Sequence, residues 1–396
     1  ILLLMLGSLL YIETLEKKKI LYNSWTNLMS TKKDKFSIKD KFYMELALDL
    51  ARAREGVTGP NPSVGCVIVK NDELISIGQT SYNGRPHAEL NAIKNSITNL
   101  KDSKMYVTLE PCSHHGATPP CTSAIIRSGI KEVIYSVIDI DKRVKGKTFN
   151  ILKSKKIEVR KELLKDKISQ FYAPYFYNRK KKLPYITGKI AISKNNLIYS
   201  KKKRKITNLL SDKFTHFLRY KNDSILISYK TLNKDNPKLN CRLKNMEKFS
   251  PKRIVLDNNL QTNTGSYLFK TASKNNTIIF YNEANRSKIL EFNKKKIVLI
   301  KSKLNKNKTF DILLILKKLY NLGCRNILIE GGNELTKNLL NKKVFNQFYL
   351  FKSPIKLSKL TEFKEFNGLN ILKKNYKKKS KVNSNFGKDI ITLYKS

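Results

Sequence analysis

Three stretches decide what the first half of this chain can be. They are His87-Ala88-Glu89-Leu90-Asn91-Ala92-Ile93-Lys94, Met105-Tyr106-Val107-Thr108-Leu109-Glu110-Pro111-Cys112 and Cys121-Thr122-Ser123-Ala124-Ile125-Ile126-Arg127-Ser128-Gly129. The first predicts a helix, His87–Ser96, starting right after Pro86. The second predicts a buried strand, Met105–Leu109, and the third a helix, Cys121–Ser128, closed by Gly129. The residues with chemistry fall at the junctions. An imidazole and two thiols, His87, Cys112 and Cys121, make a ligand set that leaves one tetrahedral position of a Zn2+ ion for water, as a catalytic site requires. His87 and Cys121 sit at predicted helix N-termini, where the macrodipole favours negative charge. Zinc lowers the pKa of a bound water toward ~7. Glu89 can reach such a water without ligating the metal, and its expected role is to move the proton. One zinc per chain is expected.

Outward from this centre the pattern alternates. Asp40 reads as the N-cap of a helix, Lys41–Arg54, stopped by Gly56 and Gly59-Pro60. Val64–Val69 and Leu74–Gly78 predict a hairpin turning at Asn71-Asp72, and Val133–Ile138 a further strand. Strands alternating with helices indicate a layered α/β domain. A Lys-rich connection with one helix, Leu163–Tyr172, leads to Arg179–Lys182, which reads as the interdomain linker. The second half then alternates again. Strands are expected at Tyr185–Ile192, Ser224–Ser228, Arg253–Leu256, Thr277–Tyr281, Ile297–Ile300, Asn326–Ile329 and Gln347–Phe351. Helices are expected at Leu209–Tyr220, Ile312–Leu322 and Glu334–Asn341. Glu330-Gly331-Gly332, between a strand and a helix, is a glycine turn able to receive a phosphate. The expected domains are 36–178 and 183–396, with 1–35 an extension outside the fold.

Composition bounds the rest. The 396 residues suit two domains, and 40% apolar residues suffice for real cores. The run Ile1–Ile12 breaks at Glu13, too short to span a bilayer, and lacks a basic flank, so neither a membrane nor a secretory address is expected. Position 1 is not Met, and Met29 is a candidate start. Five cysteines at irregular spacing argue against a disulfide framework and for a reducing, cytoplasmic setting. Cys66, Cys241 and Cys324 read as small buried apolar residues. Net charge is +48, with 28 basic and 18 acidic residues before Arg179 and 51 and 13 from there on. Lys far outnumbers Arg, without the aromatic interleaving of a nucleic-acid groove. The excess therefore reads as solvated surface plus a need to hold anionic small molecules, and nucleic acid is not the expected partner.

Zinc nucleobase deaminases join His-x-Glu to Pro-Cys-x-x-Cys, with the Glu as acid and base. Here eight residues, Ser113-His114-His115-Gly116-Ala117-Thr118-Pro119-Pro120, separate the cysteines. With Thr58-Gly59-Pro60-Asn61-Pro62-Ser63-Val64-Gly65-Cys66-Val67-Ile68-Val69, this loop makes the chain resemble the bifunctional riboflavin-biosynthesis deaminase/reductase family, from about Asp40 to near the C-terminus. The resemblance implies a cytidine-deaminase-like α/β/α domain followed by a dihydrofolate-reductase-like α/β domain. The implied first reaction is hydrolytic deamination of 2,5-diamino-6-ribosylamino-4(3H)-pyrimidinone 5′-phosphate; the second is NADPH-dependent reduction of the ribosyl group. Asn61 is then a substrate contact in the first domain. Arg219, Leu239, Arg242 and Glu330 fall at phosphoribosyl-contacting positions of the second, and Ala191, Thr231, Asp235 and Gly332 at NADPH-contacting ones. Two arginines suit one phosphate.

The chain also departs from the family. Ser193-Lys194-Asn195-Asn196 replaces Ser-Leu-Asp-Gly, and Lys203-Arg204-Lys205-Ile206-Thr207 replaces Ser-x-Trp-Ile-Thr. The only Trp is Trp25, Asn236 replaces an Asp, and Ala117 replaces a basic loop residue. Lys203 and Lys205 are expected to add charge near the NADPH phosphates. Two alternatives stay open: a deaminase with a purely structural second half, and a base deaminase acting on RNA. A homo-oligomer is also left open.

Overall fold

Ser37, not Asp40, caps the first helix of the computed structural model, which describes residues 35–201, 205–273 and 276–396. Ser37 Oγ accepts the Asp40 amide at 3.0 Å and Asp40 Oδ2 accepts the Ser37 amide at 2.9 Å, a reciprocal capping box. Asp40 stands one turn inside because its carboxylate is also used in the interior. It accepts from Tyr106 Oη at 2.6 Å and from Arg160 Nη1 at 3.1 Å, and Arg160 pairs in turn with Glu132. Of the expected extension only Lys35 is described; Trp25, Met29, Lys203 and Arg204 lie outside the described residues.

The first domain runs α1 (Ile38–Arg52), β1 (Gly65–Lys70), β2 (Glu73–Gln79), α2 (Ala88–Asn95), β3 (Lys104–Leu109), α3 (Cys121–Arg127), β4 (Glu132–Val137), α4 (Lys147–Ser154), β5 (Glu158–Lys161), α5 (Lys165–Phe171) and α6 (Ala173–Lys181). Its sheet has the order β2-β1-β3-β4-β5, with β1 antiparallel to both neighbours and β3, β4 and β5 parallel. Met44, Leu48, Cys66, Val67, Ile68, Met105, Val107, Val133 and Tyr135 are fully buried between sheet and helices. Strand β5 and helix α4 are elements that the sequence reading did not place between Ile138 and Leu163. β5 completes the parallel edge beside β4, and α4 buries Leu152 in the core.

The expected linker is also corrected. Arg179, Lys180 and Lys181 form the last turn of α6, where cations oppose the helix dipole, and Lys182 caps it in the left-handed region at φ 55°. The connection is thus short, and Asn178 Nδ2 bridges it by donating to Leu183 O and Arg325 O.

The second domain contains β6 (Tyr185–Ile192), β7 (Leu197–Ser200), α7 (Leu209–Lys221), β8 (Ser224–Ser228), α8 (Tyr229–Asp235), β9 (Lys252–Leu256), α9 (Tyr267–Lys270), β10 (Thr277–Tyr281), α10 (Arg286–Lys294), β11 (Val298–Lys301), α11 (Ile312–Asn321), β12 (Asn326–Ile329), α12 (Asn333–Asn341), β13 (Gln347–Lys352), β14 (Phe363–Glu365), α13 (Leu369–Asn375), β15 (Lys378–Lys381) and β16 (Ile390–Lys395). Nine strands join in the order β11-β10-β9-β8-β12-β6-β13-β16-β15, parallel from β11 to β13 and antiparallel at the β13-β16-β15 end. Both faces are buried, so the strands read as continuous apolar runs rather than alternating ones. Leu226, Ile254, Phe280 and Ile327 pack on one face, and Ile225, Ile227, Val255, Ile279 and Leu328 on the other. The domains touch where Glu55 meets Lys221 at 2.7 Å and Tyr82 stacks on Phe249.

Gly65 sets how closely α1 lies on the first sheet. A Cβ there would stand 1.8 Å from Ala47 O and 2.9 Å from Ala51 N. Gly65→Ala must therefore push helix and strand apart, and overpacking of this kind costs ~1–3 kcal/mol. The expected outcome is a thermal midpoint lower by ~3–10 °C in a scanning calorimetry trace; an unchanged midpoint would show that the contact gives way freely.

Candidate active sites

At the C-terminal ends of β3 and β4, loops bring the first set of predicted residues together. His87 is the N-cap of α2, and Cys121 opens α3 after Pro120. His87 Nδ1 lies 3.5 Å from Cys112 Sγ and 3.4 Å from Cys121 Sγ, and the three ligand atoms are all within 4.8 Å of one another. Legs of ~2.0 Å to nitrogen and ~2.3 Å to sulfur at a tetrahedral angle put N and S ~3.5 Å apart, so the set fits zinc. The Cys121 amide donates to Cys112 Sγ at 3.3 Å.

The electrostatics fit as well. Hydrogen bonds from Cys121 and His87 bring the Cys112 thiol down to about 4, against its burial. The hydrogen bond to Cys112 and burial push Cys121 far up. Two thiols this close do not both ionise unless a cation joins them. His87 is raised by its bond to Cys112. Glu89 is buried beside them, and that burial lifts its carboxyl to about 7, a value suited to giving and taking protons near neutrality.

His87, Cys112 and Glu89 open on a cleft of about 690 Å³ that Asn61, Arg85 and His114 also line, whereas Cys121 is fully buried. Asn61 Nδ2 donates to Gly84 O at 3.1 Å. His114 Nδ1 is buried without a partner among the described residues, whereas His115 is exposed. Cys66, Cys241 and Cys324 are buried and unpaired, as expected of apolar fillers. Arg85 was legible only as a Pro-preceding residue; nothing in its spacing marked it.

A second cleft, about 880 Å³, lies at the C-terminal ends of β6, β8 and β12. Ala191, Thr231, Asp235, Glu330 and Gly332 line it together. Gly332 allows a close approach: a Cβ there would sit 3.1 Å from Thr231 Oγ1. Arg219 is not on the lining. It is buried behind Glu330, with Nε and Nη2 gripping the carboxylate at 2.7 and 2.9 Å and Nη1 donating to Asn240 O. Burial would raise Glu330, yet the charge and hydrogen bonds of Arg219 outweigh it and hold the carboxyl at about 2.

Leu239 departs from expectation in one respect. Its side chain is core, 2% exposed, so only its backbone, left-handed at φ 54°, remains for a ligand. Arg242 is exposed and bonded to Asn240 Oδ1 at 2.9 Å. Lys205 lines the cleft but is paired with Asp212 at 2.8 Å, so its charge is not free for a cofactor. The changed segment Ser193–Asn196 still turns: Ser193 Oγ accepts the Leu197 amide, and Asn196 takes φ 62°.

Two residues here escaped the sequence reading. Lys189 faces the cleft, half-buried, and burial lowers its pKa despite Glu330 nearby. Its signal was available, since a lysine at the 185-187-189-191 register of an apolar strand needs an explanation. His216 accepts the Arg242 amide at 3.2 Å, and burial with the Arg219 and Arg242 charges takes it down to about 4.

Comparison with known proteins follows this division. Residues 37–137 match the cytidine and deoxycytidylate deaminase zinc-binding region, and residues 186–390 match the RibD C-terminal domain. The riboflavin biosynthesis protein RibD of Aquifex aeolicus is 32% identical over 90% of this chain and 98% of its own. A diaminohydroxyphosphoribosylamino-pyrimidine deaminase of Buchnera aphidicola is 46% identical over 36% of this chain and 96% of its own. The solved diaminohydroxyphosphoribosylaminopyrimidine deaminase/5-amino-6-(5-phosphoribosylamino)uracil reductase of Thermotoga maritima superimposes with a TM-score of 0.76 at 27% identity, over 90% of this chain and 98% of that one. With both halves matched in order, the chain belongs to the RibD family, the bifunctional deaminase–reductases of riboflavin biosynthesis.

Proposed function

We propose that residues 36–178 deaminate 2,5-diamino-6-ribosylamino-4(3H)-pyrimidinone 5′-phosphate with release of ammonia, and that residues 183–396 reduce the product's ribosyl group to ribityl with NADPH. The observation that carries this reading is the meeting of the His87, Cys112 and Cys121 ligand atoms within 4.8 Å of one another, beside a cleft that His87, Cys112 and Glu89 line. His87, Cys112 and Cys121 would hold a zinc ion, which would lower the pKa of a bound water toward ~7. Glu89, buried beside the ligands, accepts a proton there and returns it to the ring and the leaving amine. Asn61, whose Nδ2 is committed to Gly84, offers Oδ1 to a substrate amino group.

Thr231, Asp235, Gly332 and Ala191 of the second cleft would hold NADPH, which would supply the hydride. Glu330, kept ionised by Arg219, accepts from ribosyl hydroxyls beside Lys189, and Arg242, exposed on the loop that Arg219 and His216 tie to α7, takes the phosphate. The two clefts are lined by different residues, so each reaction has its own machinery. Five unpaired cysteines support a cytoplasmic setting. No helix among the described residues is long and apolar enough to cross a membrane.

Three outcomes test the reading. Purified protein should hold one zinc per chain by elemental analysis, and Cys121→Ala should lose both the metal and ammonia release; retention of both would exclude this ligand set. Glu89→Gln should keep zinc, lose deamination by at least ~100-fold, and still reduce the deaminated intermediate. Arg242→Ala should raise the KM for reduction ~10- to 100-fold, the cost of one charge-assisted phosphate bond, and spare deamination. NADPH that is never oxidised by wild-type protein in the presence of the intermediate would leave the second half structural only.

A further inference from the structure

The first cleft contains one cation whose charge is not already spoken for. Three guanidinium groups line it, from Arg85, Arg143 and Arg179. Arg143 grips Asp141 through Nε at 3.0 Å and Nη2 at 2.6 Å, and Arg179 lies 4.0 Å from the same carboxylate while its guanidinium stacks on Tyr175. Arg85 differs. Among the described residues its hydrogen bond is Nη1 to the neutral Thr118 Oγ1, 2.7 Å, and no carboxylate stands within ion-pair distance. A guanidinium has five N–H donors, so most of this group's capacity is unused in a half-buried position.

The place it reaches is the loop between the two cysteines. A Cβ built on Gly116 would stand 3.7 Å from both Arg85 Nη2 and His114 Nε2, so the two side chains converge on the same point of the rim. His114 keeps Nδ1 buried and unpartnered. The loop itself, Ser113 to Pro120, contains no Lys or Arg. A substrate bearing a 5′-phosphate needs a cation somewhere along this cleft, and bidentate guanidinium suits a phosphate better than any other side chain.

We infer that Arg85 is the phosphate anchor of the deaminase site, with His114 beside it, supplying from the segment before His87 the charge that the inter-cysteine loop lacks. The assignment rests on the deaminase reading given above. Arg85 acts here as a specificity-determining residue: it selects the phosphorylated pyrimidine and orients it, and it takes no part in proton transfer.

The test compares two substrates, the 5′-phosphorylated pyrimidine and the same riboside without its phosphate, by ammonia release. The readout is the ratio of their kcat/KM values. Arg85→Ala should lower that ratio ~10- to 100-fold, mainly through KM of the phosphorylated substrate, and adding Ala117→Arg should restore most of it. Arg85→Gln, which can still bond Thr118, should lower the ratio as Arg85→Ala does, and serves if the alanine variant loses zinc. An equal loss on both substrates would mean that Arg85 merely ties the loop through Thr118, and the anchor would be overturned. An unchanged ratio would overturn it too. Wild-type protein that deaminates neither substrate would instead sink the functional reading, which is a different result from a working enzyme with an unmoved ratio.

Discussion

Two thiolates within reach of one imidazole repel each other unless a cation stands between them, and the first domain is arranged around that constraint. The ligands come from three separate segments, so each must be fixed before the metal can be held. His87 is placed by its backbone, whose carbonyl accepts the Asn91 amide at the start of α2. Cys112 is fixed from behind: Thr148 Oγ1 donates to Pro111 O at 2.6 Å, and Glu110 accepts amides of Asp139, Gly146 and Thr148. Cys121 is fixed by opening α3, whose first amide points at Cys112 Sγ. Helix α4 is therefore part of the metal site's support. Its first turn holds the strand end from which Cys112 projects.

The second domain solves a related problem without a metal. Glu330 must stay ionised at the end of a buried parallel strand, where desolvation opposes the charge. Arg219, itself 8% exposed, supplies the opposing charge in a two-point grip and leaves the outer edge of Glu330 to the cleft. Such a pair is rigid, since loss of either member leaves a buried charge unpaired. Arg219 also holds Asn240 O, and His216 holds the Arg242 amide, so the loop with Leu239 and Arg242 is tied to the helix that carries the ion pair. A residue on a loop is thereby held nearly as firmly as one on a helix.

How much of this was legible in the sequence depended on where the information lay. Ligand chemistry was local: His87, Glu89, Cys112 and Cys121 announce themselves by type and spacing, and the long loop by its length. Parallel strands such as Ser224–Ser228 were legible as apolar runs. What escaped was set by contacts distant in sequence. Asp40 looked like a cap because nothing local shows Tyr106 and Arg160 claiming its carboxylate. Strand β5 was not legible because its pairing with β4, not its own residues, stabilises it. Arg179 to Lys181 looked like a linker because a basic run reads the same in a solvated tether and in the last turn of a helix. Arg85 and Lys189 were invisible for the same reason, as each gains its meaning only from the cleft it faces.

The large positive charge divides in the same way between sited and unsited residues. Arg219, Arg242, Lys189 and Arg85 stand at or behind the two clefts and are few. Most of the excess is lysine on solvated surface, as in β15, where Lys378, Lys379 and Lys381 are all exposed. That strand is the open edge of the nine-stranded sheet, with a row of unpaired backbone groups that another strand could extend. Closely spaced lysines along an edge repel a second copy of the same edge and keep the sheet from growing. Charge at this position protects the fold, whereas charge in the clefts faces the space a ligand would enter. A net value for the whole chain cannot separate the two, because only the partner that each cation faces distinguishes them.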